Sequence, residues 1–144
     1  MAVVESRVRA RLMGTPDVNS LVTGQVFAGF APQTASGDYL VLTKVSGNPI
    51  NTLGGTNANG DQMARIQVDC ISQNMAGATN YAKTYARVKA LSEAVRESLR
   101  NWRDSGARIT SCTLENEIDD TEPPSDGTSV GTQRVILDFI VWYQ

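Results

Sequence analysis

TQRVILDFIVWYQ, residues 132–144, is the stretch whose reading decides the fold. In an extended chain Val135, Leu137, Phe139, Val141 and Tyr143 fall on one side, while Ile136, Ile140 and Trp142 fall on the other. A strand that is apolar on both faces needs cover on both. Upstream, Tyr81, Tyr85, Val88, Leu91, Val95, Leu99 and Trp102 recur at steps of three or four, which predicts one long amphipathic helix of about seven turns. Arg100 and Arg103 would meet the negative end of its macrodipole, with Gly106 as the left-handed residue that closes it.

Further out, Val4, Val8 and Leu12 predict a short N-terminal helix, stopped by Gly14 and Pro16. Gly24, Gly29, Pro32 and Gly37 then punctuate a loop with room for only a brief strand around residues 25–27. YLVLTKV, residues 39–45, is rich in strand formers, with Tyr39, Val41 and Val45 on one face and Leu40 and Leu42 on the other. MARIQVDCI, residues 63–71, alternates Ala64, Ile66, Val68 and Cys70 with Arg65, Gln67 and Asp69. RITSCTLENEI, residues 108–118, gives another strand, joined to the last by a polar linker over 119–131.

The expected architecture is α+β in a single domain, 1–144: a mainly antiparallel sheet of about four strands, with one long helix and one short N-terminal helix packed on one face. No third helix is foreseen for the other face. Ile136, Ile140 and Trp142, grouped with Leu40 and Leu42, are therefore the candidate subunit interface, and Trp142 is its expected anchor.

Composition limits the chemistry. A chain of 144 residues with 41% hydrophobic and 19% charged side chains can bury roughly 70% of its unfolded surface without metal or disulfide. No apolar run approaches the ~20 residues of a membrane span, and the N-terminus, which mixes charged and apolar residues, does not read as a signal peptide. Cytoplasmic synthesis and residence are expected. Cys70 and Cys112 fall on the apolar sides of their strands and are expected as buried thiols. With a net charge of −2 there is no general positive field for nucleic acid.

No histidine is present, which removes the commonest general base and the usual partner of a Ser or Cys nucleophile. Asp69 and Asp138 could form a carboxylate pair, yet polar alternation on a strand accounts for them without catalysis. No catalytic residue, metal ligand or cofactor is expected.

NPINTLGGTNANGD, residues 48–61, lacks the glycine spacing, the lysine and the following helix of a phosphate loop. Asn59-Gly60 is a turn signal, but the segment is longer than hairpin loops usually are. A hairpin arm over 46–62 is expected to touch a neighbouring subunit or ring, through Asn51, Leu53, Gly54, Gly55, Asn57 and Asn59. ENEIDDTEPPSD, residues 115–126, lacks the ligand spacing and central glycine of a calcium loop and reads as a solvated acidic linker.

Taken in order, YLVLTKVSG (39–47), LGG (53–55) ahead of RIQVDC (65–70), YARVKALSEAVRESL (85–99) and LDFIVWY (137–143) resemble the tail completion or tail terminator proteins of long-tailed bacteriophages. The likeness runs from Val3 to Gln144 and rests on the joint occurrence of these pieces. Gly37-Asp38 stands where a proline would be expected, and ISQNMAGATNYAKT, residues 71–84, is longer than the family pattern.

The resemblance implies a virion protein, assembled in the host cytoplasm as a ring, typically six-fold, at the head-proximal end of the tail. Such a ring stops tail-tube polymerisation and joins the tail to the head connector in the neck. Its partners would be copies of itself, the tail tube protein and the head-tail connector or stopper protein. DNA would pass through the lumen without specific binding, and no membrane is involved. Glu115, Glu117, Asp119 and Asp120 are candidates to face that lumen, where negative charge repels phosphate. Rival readings are another connector, stopper or tail-tube subunit, and a small-molecule-binding α+β domain with a pocket between the long helix and the sheet.

Overall fold

The computed structural model describes residues 3–35, 37–49, 62–73, 81–122 and 132–144. Helix α1 (Val4–Met13) turns Val4, Val8 and Leu12 inward, with Glu5 in its first turn and Arg11 in its last, as the macrodipole favours. A second helix, α2 (Pro16–Val22), follows at once, where the sequence reads as loop. Pro16 therefore starts a helix as well as ending one: its fixed φ and missing N–H suit the first turn, Asp17 follows it, and Val18 and Val22 are buried one turn apart.

The strands are β1 (Val26–Ala28), β2 (Asp38–Pro49), β3 (Gln62–Gln73), β4 (Ile109–Glu122) and β5 (Thr132–Tyr143). They form a five-stranded sheet in the order β1-β2-β3-β5-β4. The fold is α+β, but the sheet is mixed and has one more strand than expected, because β1 pairs with β2 in parallel. Strand β4 runs on through Asp119 and Asp120 to Glu122, so the acidic stretch begins as strand and not as linker. At the other end, β2 and β3 stay paired to Pro49 and Gln62. Residues 46–49 of the expected arm thus belong to the ladder, and 50–61 lie outside the described residues, with Asn51, Leu53, Gly54, Gly55, Asn57 and Asn59 among them.

The long helix, α3 (Tyr81–Leu99), has 19 residues, about five turns and not seven. It ends early because Asn101 takes the left-handed conformation at φ 54°, and its N–H then donates to the carbonyl of Cys112 at 3.1 Å. Gly106 does not close the helix. It lies in the next turn, where Asp104 Oδ1 accepts from the N–H groups of Gly106 and Ala107. Trp102, past the helix end, is still buried, whereas Tyr85 is 43% exposed and lies off the apolar stripe.

All three helices contact the same side of the sheet. The core between them contains Val88, Leu91, Val95 and Leu99 of α3, Val4, Val8 and Leu12 of α1, and Val18 and Val22 of α2. The sheet supplies Ala64, Ile66, Val68, Cys70, Cys112, Val135, Leu137, Phe139, Val141 and Tyr143. Leu40 and Leu42 belong here too, each fully buried, so they are not part of an exposed interface. The register explains why: Leu40 pairs with Cys70 and Cys70 with Val135, and residues directly opposite share a face. Val45 is exposed, because a register shift between Lys44 and Ser46 interrupts the alternation of β2.

Cys70 and Cys112 are free buried thiols, and burial pushes the Cys112 thiol up to about 12. No helix among the described residues is long and apolar enough to cross a membrane.

Asp38, at the start of β2, fixes the sheet to α3. Its carboxylate accepts two bonds from Arg87, at 2.9 and 3.2 Å, and one from the Ser72 hydroxyl. The Asp38 side chain is 9% exposed and that of Arg87 is 48% exposed, so solvent screens part of the pair. Asp38→Asn is expected to lower unfolding stability by about 1–2 kcal/mol, read as a reduced urea midpoint with unchanged slope. A midpoint equal to that of the wild type would show that the clamp does not hold the two layers.

Candidate interaction surface on the back of the sheet

The face opposite the helices is assembled row by row from the register. Tyr39, Ile71, Arg134 and Asp120 make one row, and Val41, Asp69, Ile136 and Ile118 the next. Thr43, Gln67, Asp138 and Asn116 follow, then Ser46, Arg65, Ile140 and Thr113, and last Asn48, Met63, Trp142 and Ser111.

The two halves of this face differ. Over β2 and β3, the connection from β1 to β2 folds back, so that Ala31 and Ala35 join Phe27 of β1 in packing on buried Tyr39, Val41 and Ile71. Phe27 meets the Tyr39 ring edge-on at a centroid distance of 6.2 Å. Gly37, at φ 72°, then turns the chain into β2 in place of the expected proline.

Over β5 and β4 the described chain provides no such layer. Ile136, Ile140 and Trp142 are partly exposed, and Ile118 is 46% exposed. Polar groups border the apolar ones. Arg134 donates to Asp120 and lies 3.9 Å from Asp69, which also accepts from Gln67 at 2.8 Å. Asp69 is thus tied into an ion-pair network. Asp138 sits opposite Gln67, two pairs along from Asp69 and so in the next row of the same face.

The four acidic residues proposed for a lumen divide between the faces. On the helix side, Glu117 pairs with Arg96, while Asp119 accepts from Lys89 at 2.6 Å and from the Tyr85 hydroxyl at 3.1 Å. On the back, Asp120 pairs with Arg134. Glu115, next to a register shift between Leu114 and Asn116, is exposed. Three of the four are therefore matched by cations of the same chain.

The hydrogen bond from Lys89 holds the Asp119 carboxyl below its usual value, and the same contact raises Lys89. A carboxylate depressed in the folded state stabilises it above the unfolded pKa, and that contribution is lost as pH falls through the folded one. The lysine's share is present below its unfolded pKa and lost as pH rises through the folded value. Asp119→Asn is thus expected to flatten the acid limb of the stability profile below about pH 4, weakly and less so in high salt, because the pair is exposed. An unchanged acid limb at low ionic strength would contradict the pairing.

The space between α3 and the sheet, where a metabolite site would lie on the rival reading, is filled by fully buried Leu91, Val95 and Leu99. Open clefts lie elsewhere. One of about 410 Å³ is lined by Arg7, Arg11 and Trp102, but Arg7 already donates to the carbonyls of Ala107 and Gln144, and Arg11 to that of Ser98. Among the described residues no group of three or more His, Cys, Asp or Glu is placed to hold a metal ion.

Sequence reasoning missed two features of the surface. Ile118 continues the apolar strip onto β4, and Phe30, in the loop after β1, is 80% exposed. Ile118 was legible from its position in the strand, two residues from Asn116 and Asp120 on the same face. Phe30 carries no local signal beyond its place between Gly29 and Pro32.

Comparison with known proteins places these surfaces in context. A family described as tail completion protein gp17 matches residues 6–144. A solved chain from the virion of a native gene transfer agent particle shares 17% identity at a TM-score of 0.63, covering 97% of this chain and 93% of that one. A second solved chain shares 14% identity at a TM-score of 0.50 over 99% of both chains. At these identities the likeness is one of fold. No curated protein is significantly similar in sequence.

Proposed function

Because the chain belongs to the tail completion protein gp17 family, and is therefore a structural, non-enzymatic component of a phage tail, we propose that it closes the tail as a ring of identical copies. The ring, six-fold in our reading, sits at the head-proximal end of the tail tube. There it stops tube polymerisation and offers a docking surface to the head connector or stopper. Its neighbours are the tail tube protein below and the connector above, with DNA passing through the lumen unbound.

One observation carries the reading: three helices cover one face of the sheet, and the β4–β5 half of the other keeps Ile118, Ile136, Ile140 and Trp142 at least partly exposed. A ring buries such a strip between copies. The structural relative found in a virion of a gene transfer agent particle supports placement in a particle of this kind. For the lumen, Glu115 is the acid best suited to repel phosphate, since Glu117, Asp119 and Asp120 are already paired.

The test is deletion of the gene followed by electron microscopy of the lysate. Full heads beside unattached, overlong tails are expected. Normal joined particles would contradict the role, and tails of normal length that fail to attach would point to a connector or stopper instead.

A further inference from the structure

Phe30 is the most exposed large apolar side chain among the described residues, at 80%. Among the described residues it joins neither hydrophobic cluster. The back-face cluster of Tyr39, Val41 and Ile71 is covered by Phe27 of β1 and by Ala31 and Ala35 of the loop that follows, whereas Phe30 of that loop is left exposed. Gly29, at φ 88°, makes the turn that presents it, in a conformation other residues rarely adopt.

The sheet leaves a matching deficit at its opposite edge. The β1–β2 connection covers the half of the back face over β2 and β3, and among the described residues nothing gives the half over β5 and β4 an equivalent layer. The heights also agree. Gly29 N–H donates to the carbonyl of Leu42 at 2.8 Å, so Phe30 emerges at about the level of Leu42 to Lys44. Across the sheet, the register carries that level to Leu137, Asp138 and Phe139, one residue short of Ile140. Beside Ile140 and Trp142, β4 offers only the short side chains of Thr113 and Ser111, which leave room for a ring.

We infer that Phe30 of one copy seats on the β4–β5 half of the next copy's back face, beside Ile136, Ile140 and Trp142. A second copy is the occupant that fits, because the protruding aromatic and the uncovered strip lie at opposite edges of one sheet. Made once between any two copies, a contact between opposite edges is heterologous, the type that repeats around a ring, whereas a two-fold contact would make it twice, reciprocally, between the same two copies. The loop that covers half of the back face in its own chain thereby covers the other half in its neighbour. This inference rests on the ring reading and names the surface by which that ring closes.

Two measurements test it. Tails are assembled in cells supplying both Gln33→Cys and Thr113→Cys proteins, then treated with a short bis-maleimide; both positions are exposed, and Phe30 and Ile140 stay intact. Cys70 and Cys112 are fully buried, so the native background stays silent. A cross-linked pair containing one of each variant is expected, and its absence would overturn the inference. Separately, Phe30→Ser is expected to weaken association between copies by about thirtyfold or more, as truncating an aromatic anchor does, with Phe30→Leu retaining most of it. Phe30→Ser protein that completes tails as well as wild type would sink the docking while leaving the role at the tail end intact. Tails that end normally without the protein would instead sink the role itself.

Discussion

Phe139→Ala is expected to reduce the unfolding free energy of the subunit by about 3–5 kcal/mol, a large share of the 5–15 kcal/mol typical of a domain. Phe139 is among the largest fully buried side chains, central in β5, paired with Ile66 on one side and Leu114 on the other. It shares its cluster with Leu91 and Val95 of α3, so truncation opens a cavity where the long helix meets the sheet. The midpoint of thermal unfolding would fall by roughly 10 °C or more. Calorimetry or urea titration measures it, and a loss below about 1 kcal/mol would mean that the two layers are not closed around this ring.

Ile140→Asp acts on the other side of the same strand, with the opposite division of effects. Ile140 is partly exposed, so a carboxylate there remains hydrated in the isolated chain and the subunit keeps its fold. In a ring the same carboxylate would be buried without a partner, at a penalty of several kcal/mol per contact. Association between copies is therefore expected to weaken by about a thousandfold or more, while circular dichroism and the urea midpoint stay near wild type. Electron microscopy of tails made with this variant would show uncapped, overlong tubes. Correctly finished tails would remove Ile140 from the interface.

The two variants differ by one position in a strand, and that contrast was legible in TQRVILDFIVWYQ. Strict alternation sorts β5 into a buried row and a second apolar row, and the structure keeps both. The covering helix was legible for the same reason, since its stripe has the helical period. What sequence could not settle was which residues of β2 share the face of Ile140. That depends on register with a partner far along the chain, and a shift of one residue exchanges the faces. Leu40 and Leu42 were therefore assigned to the back, when pairing through Cys70 to Val135 places them among the helices.

Helix α2 escaped notice because seven residues span too few turns for a period to show, and Pro16 carries opposite meanings at a helix end and a helix start. The early end of α3 turned on Asn101, a residue less permissive than Gly106 yet able to adopt the left-handed conformation. The place of Ile136, Ile140 and Trp142 on the back face, partly exposed, was readable because they break a polar-outside pattern. Phe30 was not, because exposure within a loop follows from how the loop folds over its own sheet.

The most direct measurement is an electron cryomicroscopy reconstruction of the head-proximal tail end, with this protein resolved in place. The account predicts a closed ring of copies in which the strip of Ile136, Ile140 and Trp142 is buried by the adjacent subunit. A single copy at that position, or a ring with the strip open to solvent, would contradict it.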